Sequence, residues 1–119
     1  ISKDAEYLGG VITAGVRISM EALESQTSKL PSVEIIPTKQ TLGRGTVESI
    51  QSGLFHGTKG AIKEICTNIT NEVFDGERPL ILGTGGFASL FQGAEVFDQE
   101  LPDLVLYGIH EAFHLNFKS

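Results

Sequence analysis

Three short glycine-rich segments contain the residues that are best suited to hold a charged ligand. They span residues 9–15, 43–53 and 83–86. Glycine has no Cβ and readily adopts positive φ, so its backbone amides can come close to a ligand. Where a strand-like run passes through such a turn into a helix, the free amides at the helix start favour an anion. The segments therefore predict a scaffold that handles phosphate or a nucleotide.

A second motif, His110-Glu111-Ala112-Phe113-His114, has the spacing of a zinc protease. Histidines four residues apart share a helix face, and Glu111 could act as general base toward a zinc-bound water. A catalytic zinc also needs a third protein ligand. Residues 115–119 contain no His, Asp or Glu, which leaves His56 or a carboxylate upstream as the third ligand. A zinc metalloprotease is therefore a remote alternative.

Composition narrows the possible classes of protein. The chain has 119 residues, enough for one domain. Its net charge of −6 argues against a nucleic-acid partner, because a polyanion prefers a basic surface. A single cysteine, Cys66, excludes an internal disulfide and fits the reducing cytoplasm. Because no apolar run approaches the roughly 18–20 residues of a membrane span, we expect no membrane partner.

The hydrophobic pattern alternates between strand-like and helix-like runs, which predicts an α/β fold. A helix from residue 15 should end near residue 29, because Leu30 precedes a proline. Asp103 is placed to cap the last helix. The predicted segments are a strand over 6–13, a helix over 15–29, an extended piece over 33–36, a strand over 80–82, a helix from 87 to 92, an extended piece over 95–97 and a helix over 104–117.

The longest predicted helix covers residues 46–73, where apolar residues recur every three or four positions. Thr46 is the expected N-cap, and Glu48 in the first turn suits the helix dipole. Gly53, Gly57 and Gly60 lie inside this helix, and each costs roughly 1 kcal/mol relative to alanine. We therefore expect a partner backbone to pack closely against them. The alternative is a break in the helix near Gly57-Thr58.

In their order these segments resemble the type III pantothenate kinases, members of the acetate-and-sugar-kinase, heat-shock-ATPase and actin superfamily. The resemblance implies a ribonuclease-H-like (actin-like ATPase) C-terminal lobe, an α/β fold with a small mixed sheet flanked by helices. The residues that carry the resemblance are Tyr7-Leu8-Gly9-Gly10 through Gly15, Ala22-Leu23 with Thr27 and Leu30-Pro31, Leu42-Gly43-Arg44-Gly45-Thr46 through Gly53, Thr84-Gly85-Gly86, Asp103 to Ile109, and Asn116.

The resemblance implies ATP-dependent phosphorylation of pantothenate to 4′-phosphopantothenate, the first step of coenzyme A biosynthesis. It implies Mg²⁺ and a monovalent cation, potassium or ammonium, as cofactors. It also implies a homodimer with the pantothenate site near the subunit interface. Thr46 matches the family's substrate-binding threonine, although a plain helix cap is an equal alternative. The positions that match the nucleotide side, or serve only as packing turns, are Gly9, Gly10, Thr84, Gly85 and Gly86.

Two positions depart from the family pattern, and several family motifs lie outside the matched region. Ala14 stands where the family usually has proline, and Gly45 stands where it usually has asparagine. The family's first phosphate loop, its Asp-Arg motif with the catalytic Asp and its D-x-G-T-A segment precede the match. We therefore expect residues 1–119 to form one C-terminal lobe of a two-lobed kinase, with no catalytic residue of its own and no turnover alone. A non-catalytic binding or regulatory protein with the same fold is the alternative.

Overall fold

The computed structural model describes residues 1–117. The elements follow in the order α1 (Val16–Gln26), α2 (Thr46–Val73), β1 (Leu82–Gly83), a 3₁₀ turn (Ala88–Phe91), β2 (Gln99–Glu100) and α3 (Leu104–Phe117). Helices and a small parallel sheet together confirm the predicted α/β class. None of the helices within residues 1–117 is both long and apolar enough to cross a membrane.

The predicted long helix is confirmed as α2, which runs unbroken for 28 residues. The break proposed near Gly57-Thr58 is wrong, because buried Ile50, Leu54 and Phe55 hold the first half of α2 on the core. The helix ends where the Phe74 amide donates to the Thr70 carbonyl at 3.1 Å.

The start of α2 differs by one residue from the prediction. Gly45, not Thr46, is the N-cap, because the Ser49 amide donates to the Gly45 carbonyl at 2.9 Å. The Thr46 side chain makes no capping hydrogen bond. Glu48 lies in the first turn of α2 as predicted, and its Oε2 accepts a hydrogen bond from the Arg44 amide at 2.9 Å.

Helix α1 is shorter than the predicted 15–29 because Thr27 ends it. The backbone of Thr27 is extended, with φ −128° and ψ 129°. Its hydroxyl donates to the Leu23 carbonyl at 2.7 Å and accepts from the Leu30 amide at 3.3 Å. These two bonds turn the chain out of the helix before Pro31.

One hydrophobic core joins the two long helices to the segment that follows β1. Phe55 of α2 stacks on Phe91 of the 3₁₀ turn, with ring centres 5.7 Å apart. This contact packs the 3₁₀ turn against α2. The buried members of the core are Val16, Met20, Ile50, Leu54, Phe55, Leu90, Phe91 and Val96.

The sheet is smaller than the sequence predicts and is parallel instead of mixed. Leu82 pairs with Gln99 and Gly83 pairs with Glu100. The Asp98 amide donates to the Ile81 carbonyl at 2.8 Å beside this ladder. The strand predicted over 80–82 is found at Leu82–Gly83, and the piece expected to be extended over 95–97 precedes β2 instead of forming a strand. The segments over 33–36 and 6–13 form no strand.

The predicted strand over 6–13 is wrong because no strand of residues 1–117 lies beside it to complete a ladder. Its apolar side chains face outward: Tyr7 is 80% exposed and Ile12 is 99% exposed. Helix α3 forms as predicted but buries no side chain within residues 1–117. The Asp103 carbonyl accepts from the Tyr107 amide at 3.0 Å, whereas its carboxylate makes no capping bond.

Candidate functional site

A groove of about 1030 Å³ lies between α1 and the first two turns of α2. Its lining combines apolar residues with hydroxyl-bearing residues, a glutamine and one arginine. The apolar lining includes Ala22, Leu23, Leu30, Ile50 and Leu54, and the polar lining includes Ser19, Gln26, Thr27, Arg44, Thr46 and Ser49. The groove can therefore hold a small molecule that has both an apolar part and polar ends.

The chain leading into α2 forms one wall of this groove and is fixed by close packing. A Cβ on Gly43 would lie 2.5 Å from the Ser49 nitrogen and 2.7 Å from the Glu48 carbonyl carbon. The Ser52 hydroxyl, which is buried, donates to the Thr41 carbonyl. Only glycine at position 43 allows this approach, so the turn and the helix start form one rigid wall.

The groove has a positive end at the start of α2. The first backbone N–H groups of a helix have no acceptor within the helix and carry a partial positive charge. Arg44, which lines the same groove, carries a full positive charge. The sequence pattern gave Arg44 and Ser49 no role of their own, although both lie within the 43–53 segment. An anionic group is favoured at this end of the groove.

Thr46 occupies the first helical position of α2 and lines the groove. Its hydroxyl makes no hydrogen bond to any residue in the range 1–117, so the role as a plain N-cap is wrong. A hydroxyl that is exposed and has no partner can donate to a ligand and accept from it. The geometry thus leaves the Thr46 side chain available for binding.

The glycine turn after β1 has the backbone geometry of a ligand-binding loop. Gly85 has φ +87° and no atom within 4 Å of a built Cβ. Across residues 1–117, the amides of Gly85 and Gly86 donate to no protein acceptor. The Thr84 hydroxyl is already engaged, because it donates to the Leu101 carbonyl at 2.8 Å. Gly83 is required for packing, since a Cβ there would meet the Phe97 ring.

The first glycine pair, Gly9-Gly10, lies in the exposed segment that precedes α1. Gly9 has φ +131° with open space around it, and a Cβ on Gly10 would lie 3.0 Å from the Tyr7 hydroxyl. Throughout residues 1–117, no hydrogen bond joins Gly9 or Gly10 to residues 84–86. The nucleotide role of these five residues therefore stays a prediction.

An ion pair anchors the segment before β2. Asp98 accepts from Arg78 Nη1 at 2.7 Å and from the Ile81 amide at 2.7 Å. These two bonds, the Arg78 bond first, lower the pKa of Asp98 below its ordinary value. Cys66 lies close by on a groove of about 330 Å³. Burial raises the pKa of its thiol, while the Arg78 charge acts in the opposite direction.

The two histidines of the HExxH motif lie together on exposed α3. Their ring centres are 4.4 Å apart and the ring planes are at 76°. No group of three or more His, Cys, Asp or Glu within residues 1–117 is arranged to hold a metal. His56 instead packs edge-on against Phe55 in α2, with ring centres 5.0 Å apart. The three-ligand set of the metalloprotease alternative is thus not assembled in this part of the chain.

Comparison with known proteins gives one consistent result. The family model described as "Type III pantothenate kinase" matches residues 1–68. A protein of that name from Legionella pneumophila (strain Corby) is 53% identical over 116 residues, and one from Elusimicrobium minutum is 45% identical over 116 residues. "Type III pantothenate kinase 1" from Francisella tularensis subsp. holarctica (strain OSU18) is 40% identical over the same length.

Each of these alignments covers 98% of this chain and 45% of the relative. The chain therefore spans about half the length of the curated relatives it matches. The family model covers more than half of the chain, and it includes both the 9–15 segment and the α2 start with Thr46. The chain belongs to the type III pantothenate kinase family.

Proposed function

We propose that the protein containing this chain transfers the γ-phosphoryl group of ATP to pantothenate, the first step of coenzyme A biosynthesis. The observation that carries the proposal is the groove beside Thr46, which lies in the region of the family match. A kinase that draws on ATP and supplies this pathway acts in the cytoplasm, and we propose that location for it.

The lining of the groove suits the chemistry of pantothenate. Pantothenate has a carboxylate, an amide, two hydroxyls and a geminal dimethyl group. The Arg44 guanidinium and the α2 N-terminus favour the carboxylate, and the free Thr46 hydroxyl can bond to an amide or hydroxyl. Leu23 and Ile50 offer an apolar surface to the dimethyl group. Thr46 thus acts as a substrate-binding residue in this proposal.

We propose that the nucleotide binds to the glycine segments at residues 9–10 and 84–86. The amides of Gly85 and Gly86 are free to donate to a phosphate, and Gly9 has no neighbouring atom to block an approach. The Thr84 hydroxyl already donates its hydrogen to the Leu101 carbonyl, so it could only accept a hydrogen bond from a donor group of the nucleotide. In this proposal residues 9–10 and 84–86 contact the same nucleotide.

Mg²⁺ and a monovalent cation, potassium or ammonium, are the cations of the proposed reaction. Mg²⁺ prefers carboxylate and phosphate oxygens. Within residues 1–117, however, no group of three acidic, histidine or cysteine residues is placed to hold a cation. We propose that the ligands of Mg²⁺ and of the monovalent cation come from ATP or from other parts of the protein.

We propose that residues 1–119 form the C-terminal lobe of a two-lobed, ribonuclease-H-like kinase. Two apolar surfaces support this proposal because nothing in residues 1–117 covers them. One is the 6–13 segment, with Ile12 99% exposed; the other is α3, with Leu115 82% and Phe117 70% exposed. A second lobe would bury both surfaces and complete the sheet along residues 6–13. In this proposal residues 1–119 alone bind pantothenate and ATP weakly and do not catalyse the reaction.

We further propose a homodimer through the glycine stripe of α2, formed by Gly53, Gly57 and Gly60. All three are exposed, and a Cβ on any of them would meet no atom of residues 1–117 within 4 Å. Their helical cost of roughly 1 kcal/mol each is therefore not offset by packing within the chain. Gly53 also lines the substrate groove, so a partner helix on this stripe would lie next to bound pantothenate.

Product identification tests the proposed reaction. The intact protein is incubated with Mg²⁺, potassium and γ-labelled ATP, with and without pantothenate, and the products are separated and weighed by mass spectrometry. Label in phosphopantothenate supports the proposal. Pantothenate binding without any phosphorylated product would instead support the non-catalytic binding protein.

A further inference from the structure

We propose that Arg17, in the first turn of α1, is a positioning residue for the glycine turn after β1 and acts on it through Phe87. The guanidinium carbon of Arg17 lies over the Phe87 ring, 5.3 Å from the ring centre. A cation within about 6 Å of the face of an aromatic ring is attracted by the negative charge of that face. The inference rests on the proposed role of Gly85 and Gly86 in binding the nucleotide.

Phe87 belongs to the same turn as the two free amides. The Ala88 amide donates to the Gly85 carbonyl at 3.2 Å, which closes a turn with Gly86 and Phe87 at its centre. The backbone of Phe87, with φ −104° and ψ 3°, is close to that of the third residue of a type I turn. Because Phe87 directly follows Gly86, an anchor on its side chain also restricts the direction of the Gly86 amide.

The contact lies on the face of α1 opposite the substrate groove. Arg17 and Met20 line a separate cavity of about 360 Å³ with Phe87, whereas Ser19 and Leu23 line the groove beside Thr46. Buried Met20 holds the first of these faces on the core. Loss of the contact between Arg17 and Phe87 should therefore affect the glycine turn without disturbing the groove.

The contact favours nucleotide binding because it limits the conformations of the unbound turn. If only a fraction of the molecules holds the turn in the binding conformation, the apparent dissociation constant rises in proportion. At an exposed site, a cation–π contact corresponds to about a two- to fivefold change in an equilibrium constant. Arg17 is exposed, so its loss should weaken nucleotide binding by about this factor.

Calorimetric titration of the intact protein with a non-hydrolysable ATP analogue and Mg²⁺ tests this role. Wild type is compared with Arg17→Met, which removes the charge, and with Arg17→Lys, which keeps it. Phe87→Leu and the double variant Arg17→Met/Phe87→Leu complete a double-mutant cycle. Glu21→Gln, on the same cavity, is the control for a change of charge. Pantothenate is titrated in parallel, and circular dichroism checks that each variant stays folded.

We expect the nucleotide dissociation constant to rise about two- to fivefold in Arg17→Met, and this effect to vanish in the Phe87→Leu background. Arg17→Lys should stay closer to wild type than Arg17→Met, because the attraction needs the charge. Glu21→Gln should bind the nucleotide as wild type does, and pantothenate should bind equally to all variants. An unchanged nucleotide affinity in Arg17→Met, additive effects in the double variant, or an equal loss of pantothenate affinity would overturn the proposal.

The titration separates this proposal from the proposed reaction because it needs no turnover. A wild-type protein that binds the nucleotide without phosphorylating pantothenate would contradict the proposed reaction, and the cycle would still decide the role of Arg17. A wild-type protein that binds no nucleotide would overturn the role of Arg17 as well.

Discussion

Gly43 packs directly against the backbone of Ser49, so closely that a Cβ on Gly43 would lie 2.5 Å from the Ser49 amide nitrogen. The contact joins the turn before α2 to the first turn of the helix. It therefore holds Arg44, Gly45 and Thr46 at one edge of the groove. The position of the proposed substrate residues depends on a glycine that itself touches no substrate.

Gly43→Ala should destabilise the protein, because the added methyl group meets backbone atoms that cannot move aside. We expect a loss of about 1–3 kcal/mol in the free energy of unfolding, as for overpacked sites generally. Urea denaturation measures it. Gly108→Ala is the matched control, since a Cβ there has no atom within 4 Å and the position is helical. Equal stability of the two variants would show that the Gly43 contact is not rigid.

Gly57→Ala should have opposite effects on the monomer and on the proposed dimer. Alanine in place of an exposed helical glycine stabilises the folded monomer by about 0.5–1 kcal/mol. A methyl group between two closely packed helices should raise the dimer dissociation constant by at least about tenfold. Sedimentation equilibrium measures the association, and Lys63→Ala elsewhere on α2 is the control. A dimer that tolerates Gly57→Ala does not use this stripe.

Asp98→Asn should lower the stability of the fold at neutral pH. It should also make that stability depend less on pH in the acid range. The folded-state pKa of Asp98 is lowered by the Arg78 and Ile81 bonds, so the carboxylate stabilises the fold above the unfolded-state pKa of about 3.9. This stabilisation is lost as the pH falls below about 4 toward the folded-state value. Thermal unfolding of wild type and variant, recorded at several pH values from neutral to acid, measures this loss of stability. Asp103→Asn is the control, because no hydrogen bond to its carboxylate is present within residues 1–117. A parallel loss in both aspartate variants would contradict the assignment.

Much of the helical structure could be predicted from local patterns. Ile50 and Leu54 recur at helical spacing, and burial of that face keeps α2 continuous through Gly57. Local patterns could not decide whether residues 6–13 form a strand. A strand needs a neighbouring strand to pair with, and the sequence pattern does not identify that neighbour. Likewise, the register of Leu82 with Gln99 depends on contacts distant in sequence, including Asp98 with Ile81.

The candidate site was predicted in part. Thr46 was singled out from its motif, and the structure puts it on the groove. Its neighbours Ser19 and Leu30 come from α1 and the turn after it, so only the packing of α1 on α2 reveals them. The predicted nucleotide residues 9–10 and 84–86 share a sequence signal, but no hydrogen bond joins the two segments within residues 1–117. Sequence pattern indicates which backbone can approach a ligand, but not which segments meet around it.

The steady-state kinetics of the intact protein, with Thr46→Ala and Thr46→Ser as a matched pair, test the central claim most directly. Pantothenate-dependent ADP release should occur in wild type. Thr46→Ala should raise the KM for pantothenate by up to about tenfold, the value of one hydrogen bond, while Thr46→Ser stays close to wild type because it keeps the hydroxyl. Turnover that is independent of pantothenate, or an unchanged KM in Thr46→Ala, would contradict the account of this groove as the substrate site.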